Sequence, residues 1–405
     1  MKSPFFSCFV ILAGAFALSA CSNSLDRAEK IVQDEDSKEG IYATESDPAK
    51  TLSEEQTENR QKSDNVIPFD SRRFGGDIED IFYAEDSHIL VYADKFQLYD
   101  TAADTMTGEF SVNEGRVQER AFFSLSGGYA LVGALYGAEF NSSLSSDVRA
   151  LKCWYFDKDF VCRQTIDLSG VVIEGGDCFA FSAAVSEDGE KIGIAGNDAL
   201  YVYDVASGRL TPLFRYNETG YADDMMVSEL GFAEHGEKLV FTGSALMADS
   251  TENVPLYGMV STEGSGLACY TSSEYELSDE MILFENEIWF PEAFDKAAGK
   301  LLITDTNGKT IRIVDLEGED TGADGIFASD NGKYIATIQW ISEKSCWRVR
   351  IYDAIDGNIV HEQMIEIDEE RYSSIVCKVH ILEERNECIV VAGRGRQTFI
   401  SSFFF

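Results

Sequence analysis

One pattern recurs along this chain: a turn of small polar residues and glycine, followed by a short apolar run. It reads "AEDSHILVYA" from Ala84, "SLSGGYALVG" from Ser124, "SEDGEKIGIA" from Ser186, "AEHGEKLVFT" from Ala233, "DKAAGKLLIT" from Asp295, "SDNGKYIATI" from Ser329 and "LEERNECIVV" from Leu382. Each apolar run is short and bounded by turn residues, so each predicts a β-strand rather than a helix. Asp188-Gly189 and Asn331-Gly332 suit tight turns, because Asp and Asn hydrogen-bond the nearby backbone and glycine accepts positive φ. Gly236 and Gly299 hold the same place in their own copies.

The second half of the repeat is an apolar strand that stops at an aspartate: "FQLYDTAADT", "CWYFDKDF", "LYVYDVASGR", "IRIVDLEGED" and "VRIYDAIDGN". Asp100, Asp157, Asp204, Asp315 and Asp353 stand where a strand ends, and a carboxylate there accepts hydrogen bonds from the amides of the following turn. Their expected role is structural. The fourth copy departs from the pattern with "LYGMVSTEGSG", and the seventh ends in "QTFISSFFF" with no turn.

One small sheet cannot cover its own faces or pair its own edges, and short strands repeated in fours solve this by stacking around an axis. The predicted fold is therefore all-β, a seven-bladed β-propeller of four-stranded antiparallel blades. With "SEDGEKIGIAGNDALYVYDVASGR" as a blade centre, residues 64–405 resemble the WD40-like or YVTN-like bacterial propellers. That resemblance implies a fold and carries no catalytic residues. The last repeat supplies three strands, near Val376 to Leu382, Glu387 to Ala392 and Gln397 to Phe405. The missing outer strand is assigned to "DNVIPFD", Asp64 to Asp70, which closes the ring and places Phe403, Phe404 and Phe405 in buried or half-buried positions.

The N-terminus differs. "MKSPFFSCFVILAGAFALSAC" has one basic residue, an apolar run from Phe5 to Ala17, and then Leu18-Ser19-Ala20-Cys21. A run this short ending in small residues reads as a signal peptide, residues 1–20, rather than a membrane span. The last four residues resemble a bacterial lipobox, which implies cleavage before Cys21, lipidation of its sulfur and an extracytoplasmic protein anchored to a membrane. Cleavage after Ala17 to give a secreted protein, or an uncleaved anchor, are the alternatives. From Cys21 to residue 63 the chain is acidic and polar with almost no aromatics, so it cannot bury enough apolar surface to offset its ordering entropy and reads as a disordered tether.

At 405 residues with 44% hydrophobic composition, the whole chain has ample material for a core, and its net charge of −38 opposes binding to phosphate backbones, so no nucleic-acid partner is expected. Of nine cysteines, Cys8 leaves with the signal and Cys21 carries lipid. In "LKCWYFDKDFVCRQ" a two-residue turn at Asp157-Lys158 sets Cys153 opposite Cys162 at roughly 4.5 Å between Cα atoms, which predicts a disulfide.

Raw material for catalysis is sparse. The four histidines, His88, His235, His361 and His380, fall in separate repeats with no metal-ligand spacing. "EGSGLAC" reads as a loop and "DTNGKT" does not match a calcium loop. No metal and no cofactor is expected. The longer segments fall between second and third strands and between blades, which puts them on one face of the disc: Tyr136 to Val148, Leu168 to Cys178, Arg215 to Val227, Leu246 to Val254, Gly264 to Asn286, Ser342 to Ser345 and Glu366 to Ser373. Tyr136, Phe140, Tyr216, Tyr221, Tyr270 and Tyr275 in those loops, with Trp340 and Trp347 nearby, are the candidate binding residues. The expected function is a non-catalytic binding or scaffold module for a protein, peptide or glycan. An envelope-polymer hydrolase or lyase with carboxylates at the channel is the alternative, as is a sensor acting on a membrane partner in cis.

Overall fold

The computed structural model describes residues 66–405 apart from 69, 75, 85–86, 114–115, 137–147, 170–181, 197, 220–224, 247–252, 272–277, 279, 285, 293–298, 319–322, 342, 345, 367–375 and 395. The segments expected to be a signal peptide and a tether, with Cys21, lie outside the described residues, as do most of the long loops. Strands group into seven sheets, each with four successive antiparallel strands or, in the last, three plus one borrowed from the N-terminal side. The innermost strands are Asp80–Tyr83, Arg116–Leu125, Ser182–Val185, Met225–Ala233, Ile282–Leu283, Gly325–Ala328 and Val376–Leu382.

Blade three shows how the repeat works. Its strands are Ser182–Val185, Lys191–Ala195, Ala199–Asp204 and Arg209–Arg215. In the first turn the Ser186 hydroxyl donates to Asp188 Oδ1 at 2.6 Å and accepts the Lys191 amide at 2.9 Å, while Gly189 adopts φ 74°. Gly236 and Gly332 take φ 85° and 66° in the matching turns, a region costly for residues with a Cβ. In the later turn Asp204 Oδ1 accepts the Ser207 amide at 2.7 Å. Asp100 accepts the Ala102 and Ala103 amides, Asp157 those of Asp159 and Val161, and Asp353 that of Ile355.

Blade five departs from the sequence reading by one strand. Its strands are Ile282–Leu283, Glu287–Pro291, Lys300–Asp305 and Thr310–Asp315. "DKAAGKLLIT" thus enters the third strand instead of the second, and the Gly299 carbonyl accepts the Leu316 amide at 2.7 Å. Asp315 ends the outermost strand, largely exposed and 3.8 Å from Lys300 Nζ. The turn aspartate of this blade is Asp305, whose Oδ1 accepts the Asn307 and Lys309 amides, both at 2.9 Å. An inner strand of two residues is too brief to show any alternation, which is why the repeat was displaced.

Apolar side chains fill every seam between blades. Phe82 and Phe96 of blade one meet Phe122 and Trp154 of blade two, and Val185 and Leu200 of blade three lie in one cluster with Phe123 of blade two and Phe241 of blade four. Tyr257 meets Phe290, Ile303 meets Tyr352, and Val349 meets Phe399 in the seams that follow. Ile389 and Val391 of the last blade pack on Ile81 and Ile89 of the first, so the ring is closed. Each fully buried side chain of this size contributes about 1.5–3 kcal/mol, and no blade can bury both faces alone.

Closure uses a segment later than expected. Asp70–Arg73 pairs antiparallel with Gln397–Ile400 as the outer strand of blade seven. Val66–Pro68 instead pairs in parallel with Met364 to Glu366, adding a fifth strand to blade six. Pro68 donates no amide, and an outermost edge is where a sheet tolerates that. Of the terminal phenylalanines, Phe403 is 7% exposed, Phe405 is half-buried, and Phe404, expected to be at least half-buried, is 69% exposed.

The predicted disulfide is overturned. Cys153 pairs with Ile166, and Cys162 pairs with Phe156; both cysteines are free. The hairpin loop is longer than two residues because Phe160 turns left-handed at φ 57°, donates its amide to the Asp157 carbonyl, and stacks its ring 4.5 Å from Phe156. Burying that ring shifts the register, so Cys153 points into the core shared with blade three while Cys162 packs on the opposite face.

Candidate functional site

Four of the seven inner strands bring a buried charged residue toward the axis. Asp80, Arg120, Glu229 and Lys378 come from blades one, two, four and seven, and each is less than 10% exposed. Arg120 organises one side. Its Nη2 lies 3.5 Å from Glu79 and its Nε 3.5 Å from Asp80, its Nη1 donates to the Val117 carbonyl at 2.9 Å, and its guanidinium carbon stands 4.2 Å above the Tyr92 ring. Asp80 also accepts the Ile81 amide at 2.9 Å. Burial raises the Asp80 pKa above the ordinary carboxylate value, and the charges of Lys378 and Arg120 oppose that rise. Across the axis Glu229 accepts the Met281 amide at 2.6 Å.

Above this network a cleft of about 490 Å³ opens on the long-loop face. Its walls are Gly76, Asp77 and Glu79 before blade one, Tyr92 to Phe96 within it, Val112 and Val117 leading into blade two, and Arg396 of blade seven. Arg396 lies 3.5 Å from Asp77. Lys95 forms an ion pair with Glu109. A second cleft of about 490 Å³ occupies the short-turn face between blades three and six, with Glu234, Phe284, Glu287, Trp289 and Arg312 among its lining.

The candidate binding residues fall differently. Tyr216 is 3% exposed and donates its hydroxyl to the Gly196 carbonyl at 3.0 Å, so it packs beneath its loop. Tyr270 lies on the outer strand of blade four, stacks 5.2 Å from Tyr257, and donates to the Asn307 carbonyl at 2.9 Å. Trp340 and Trp347 are brought together as a cross-strand pair in blade six with ring centroids 5.3 Å apart; Trp347 is buried and Trp340 half-buried. Tyr136 ends a strand of blade two, paired with Val148 through the backbone. Phe140, Tyr221 and Tyr275 lie outside the described residues.

Tyr92, Arg120, Asp80 and Lys378 were not among the expected residues. The available signal was a charge beside or within an apolar inner strand, as in "EDIFY", "QERAFF" and "CKVHI". Among the described residues no group of three or more His, Cys, Asp or Glu side chains is placed to hold a metal ion, and no helix is long and apolar enough to cross a membrane.

No family model matches this sequence, and no curated protein matches it. Among solved structures it is similar to the beta-propeller domain of Cps50 (Swd1) from Myceliophteria_thermophila, with 10% identity and a TM-score of 0.54 over 83% of this chain and 98% of that one. At that identity the likeness is one of fold: the chain is a seven-bladed β-propeller resembling a WD40 propeller.

Proposed function

We propose that this protein is a membrane-tethered, extracytoplasmic lipoprotein whose propeller is a non-catalytic scaffold for a protein or peptide partner. The observation that carries the binding reading is the cleft over blades seven, one and two, whose lining residues Glu79 and Tyr92 are braced from behind by the buried Arg120. Its size suits one or two side chains of a partner, and groups fixed on strands at a cleft floor give specificity at small entropic cost. The propeller fold is widely used for such scaffolds. The lipobox-like Leu18-Ser19-Ala20-Cys21 supports the anchor and the acidic segment behind it supports a tether.

A second reading, an envelope-polymer hydrolase or lyase, draws on the raised pKa of Asp80. Its carboxylate is already engaged by Arg120 and the Ile81 amide, which favours the scaffold. The test is capture from the native envelope with residues 64–405 immobilised, comparing wild type with Asp94→Arg on the cleft rim and Asp80→Asn in the buried network behind it. Specific partners lost with Asp94→Arg support the scaffold, and identical eluates overturn this location. Polymer cleavage by wild type and not by Asp80→Asn supports the enzyme. Loss of palmitate labelling in Cys21→Ala tests the anchor.

A further inference from the structure

Large apolar side chains left exposed gather on one rim. Among the described residues they are Met106 in blade one, Val161 in two, Ile311 and Ile313 in five, Ile355 and Val360 in six and Phe404 in seven, with Met226 of blade four apart from them. Val161 and Ile355 sit in the turns between third and fourth strands. Met106, Ile311, Ile313 and Val360 fall within the first four residues of a fourth strand, and Phe404 ends a third. All these strand ends belong to the short-turn face. Blades five, six, seven, one and two are consecutive around the ring, so the side chains form an arc along the edge of that face. Met226 stands near the start of an inner strand, on the long-loop face.

The turns hold these side chains outward. Asp157 accepts the Val161 amide at 2.9 Å and Asp353 the Ile355 amide at 2.8 Å, with Ile355 left 78% exposed. Because those amides are already bonded, an apolar surrounding receives the turn tips without orphaning a donor. The course of the chain points the same way. Val66 lies beside Met364 and Pro68 beside Glu366 in a parallel pair, so the chain enters blade six from the side of Ile359, the short-turn end of that strand. Blade six lies within the apolar arc.

We propose that this rim is a membrane-contact surface, whose apolar side chains enter the boundary between headgroups and acyl chains of the bilayer that holds the anchor. The proposal rests on the lipid anchor of the preceding reading. Separate apolar side chains spread along one rim suit a bilayer, whereas a protein partner is gripped by a compact central cluster. An anchored chain meets the bilayer at an effective concentration on the order of millimolar, so a contact too weak to hold a free protein suffices. The net charge of −38 opposes anionic headgroups, which makes a zwitterionic surface the matching one. Contact through this rim turns the long-loop face, with its partner cleft, away from the membrane.

The test uses the chain from residue 21, which keeps every described residue, held by an N-terminal hexahistidine tag on phosphatidylcholine vesicles containing a nickel-chelating lipid. The tag replaces the anchor, so the rim is read whatever becomes of Cys21. A phosphatidylcholine with a diazirine in its acyl chain is photolysed and the adducts are mapped. Peptides with Ile355 and Phe404 are expected to carry at least tenfold more adduct than the peptide with Met226. Ile355→Asp with Phe404→Asp, both at exposed positions, should lower the adduct on the Met106 peptide at least fivefold at equal protein on the vesicles. Rim adducts no greater than at Met226, or an unchanged Met106 adduct in the double variant, overturn the proposal. A dimer in sedimentation that the double variant returns to monomer overturns it too, by giving the rim to a second copy. Palmitate missing from Cys21 removes the anchor, whereas rim adducts missing with palmitate present remove this contact alone.

Discussion

Asp70 lies opposite Ile400, so the strand that completes the last blade comes from the start of the described chain. Two lines of backbone pairing fasten this segment, one to blade seven and one to blade six. They are not equivalent. Residues 70–73 cover an edge that is otherwise open along the terminal strand, whereas residues 66–68 add a short parallel strand to a blade already complete. A chain beginning at residue 69 should keep most of its thermal stability. One beginning at residue 74 should melt many degrees lower and aggregate on heating, because an unpaired edge templates association. Calorimetry with light scattering distinguishes these outcomes, and equal melting of the two truncations would refute the closure.

The terminal phenylalanines separate by burial. Phe403 packs between blades and stacks 5.2 Å from His361, and Phe404 faces solvent. Phe403→Ala should cost about 3 kcal/mol and Phe404→Ala less than about 0.5 kcal/mol in denaturant unfolding. The reverse order would mean that the last strand is registered one residue away.

Turn chemistry makes blade five a check on the repeat. Asp305 holds two amides of its turn and Asp315 holds none that is described, so Asp305→Ala should lower stability by about 1 kcal/mol, as loss of a comparable cap does. Asp315→Ala should stay within about 0.5 kcal/mol, since an exposed pair with Lys300 contributes little. Urea midpoints at unchanged m-value measure both.

The fold was legible because its signals are local. Ser186 to Gly189 and Asp204 to Gly208 announce turns within five residues, and the alternation between them announces strands. What failed was set by distant packing. The register of the hairpin at Asp157 is chosen by the Phe160 ring against Phe156, which no spacing between cysteines reveals. The site was less legible still: Asp80, Arg120, Glu229 and Lys378 stand far apart in sequence and have meaning only once the ring brings them to one axis. Of the loop aromatics, Tyr216 and Tyr270 direct their hydroxyls to backbone carbonyls, partners that lie far from them in the sequence and that no spacing reveals.

Free thiols at Cys153 and Cys162 make a direct prediction. Burial pushes the Cys153 thiol far above its ordinary pKa, so it carries almost no thiolate in the folded protein. Without reductant, Cys162 should be alkylated in the native state and Cys153 only after unfolding. Mass mapping that finds either position blocked in the unfolded, unreduced chain would restore the bridge.

Arg120 neutralises Asp80 in a site with little solvent, and removing one partner of such a pair leaves the other charge buried. Arg120→Met should therefore destabilise the propeller by about 3 kcal/mol at pH 7.5. The sign of the pH dependence follows from Asp80, whose folded pKa lies above its unfolded value. As pH falls through that folded value the native state takes up the proton first, so protonation favours folding. The variant has lost the guanidinium that opposed the rise, so its Asp80 protonates at higher pH and the deficit relative to wild type shrinks on acidification. Asp80→Asn combined with Arg120→Met should recover part of the loss at pH 7.5 and remove the Asp80 contribution to its pH dependence. Thermal unfolding of the three variants from pH 7.5 to 5 measures this, and a deficit for Arg120→Met that is flat across the range would show that Asp80 is not the charge Arg120 compensates.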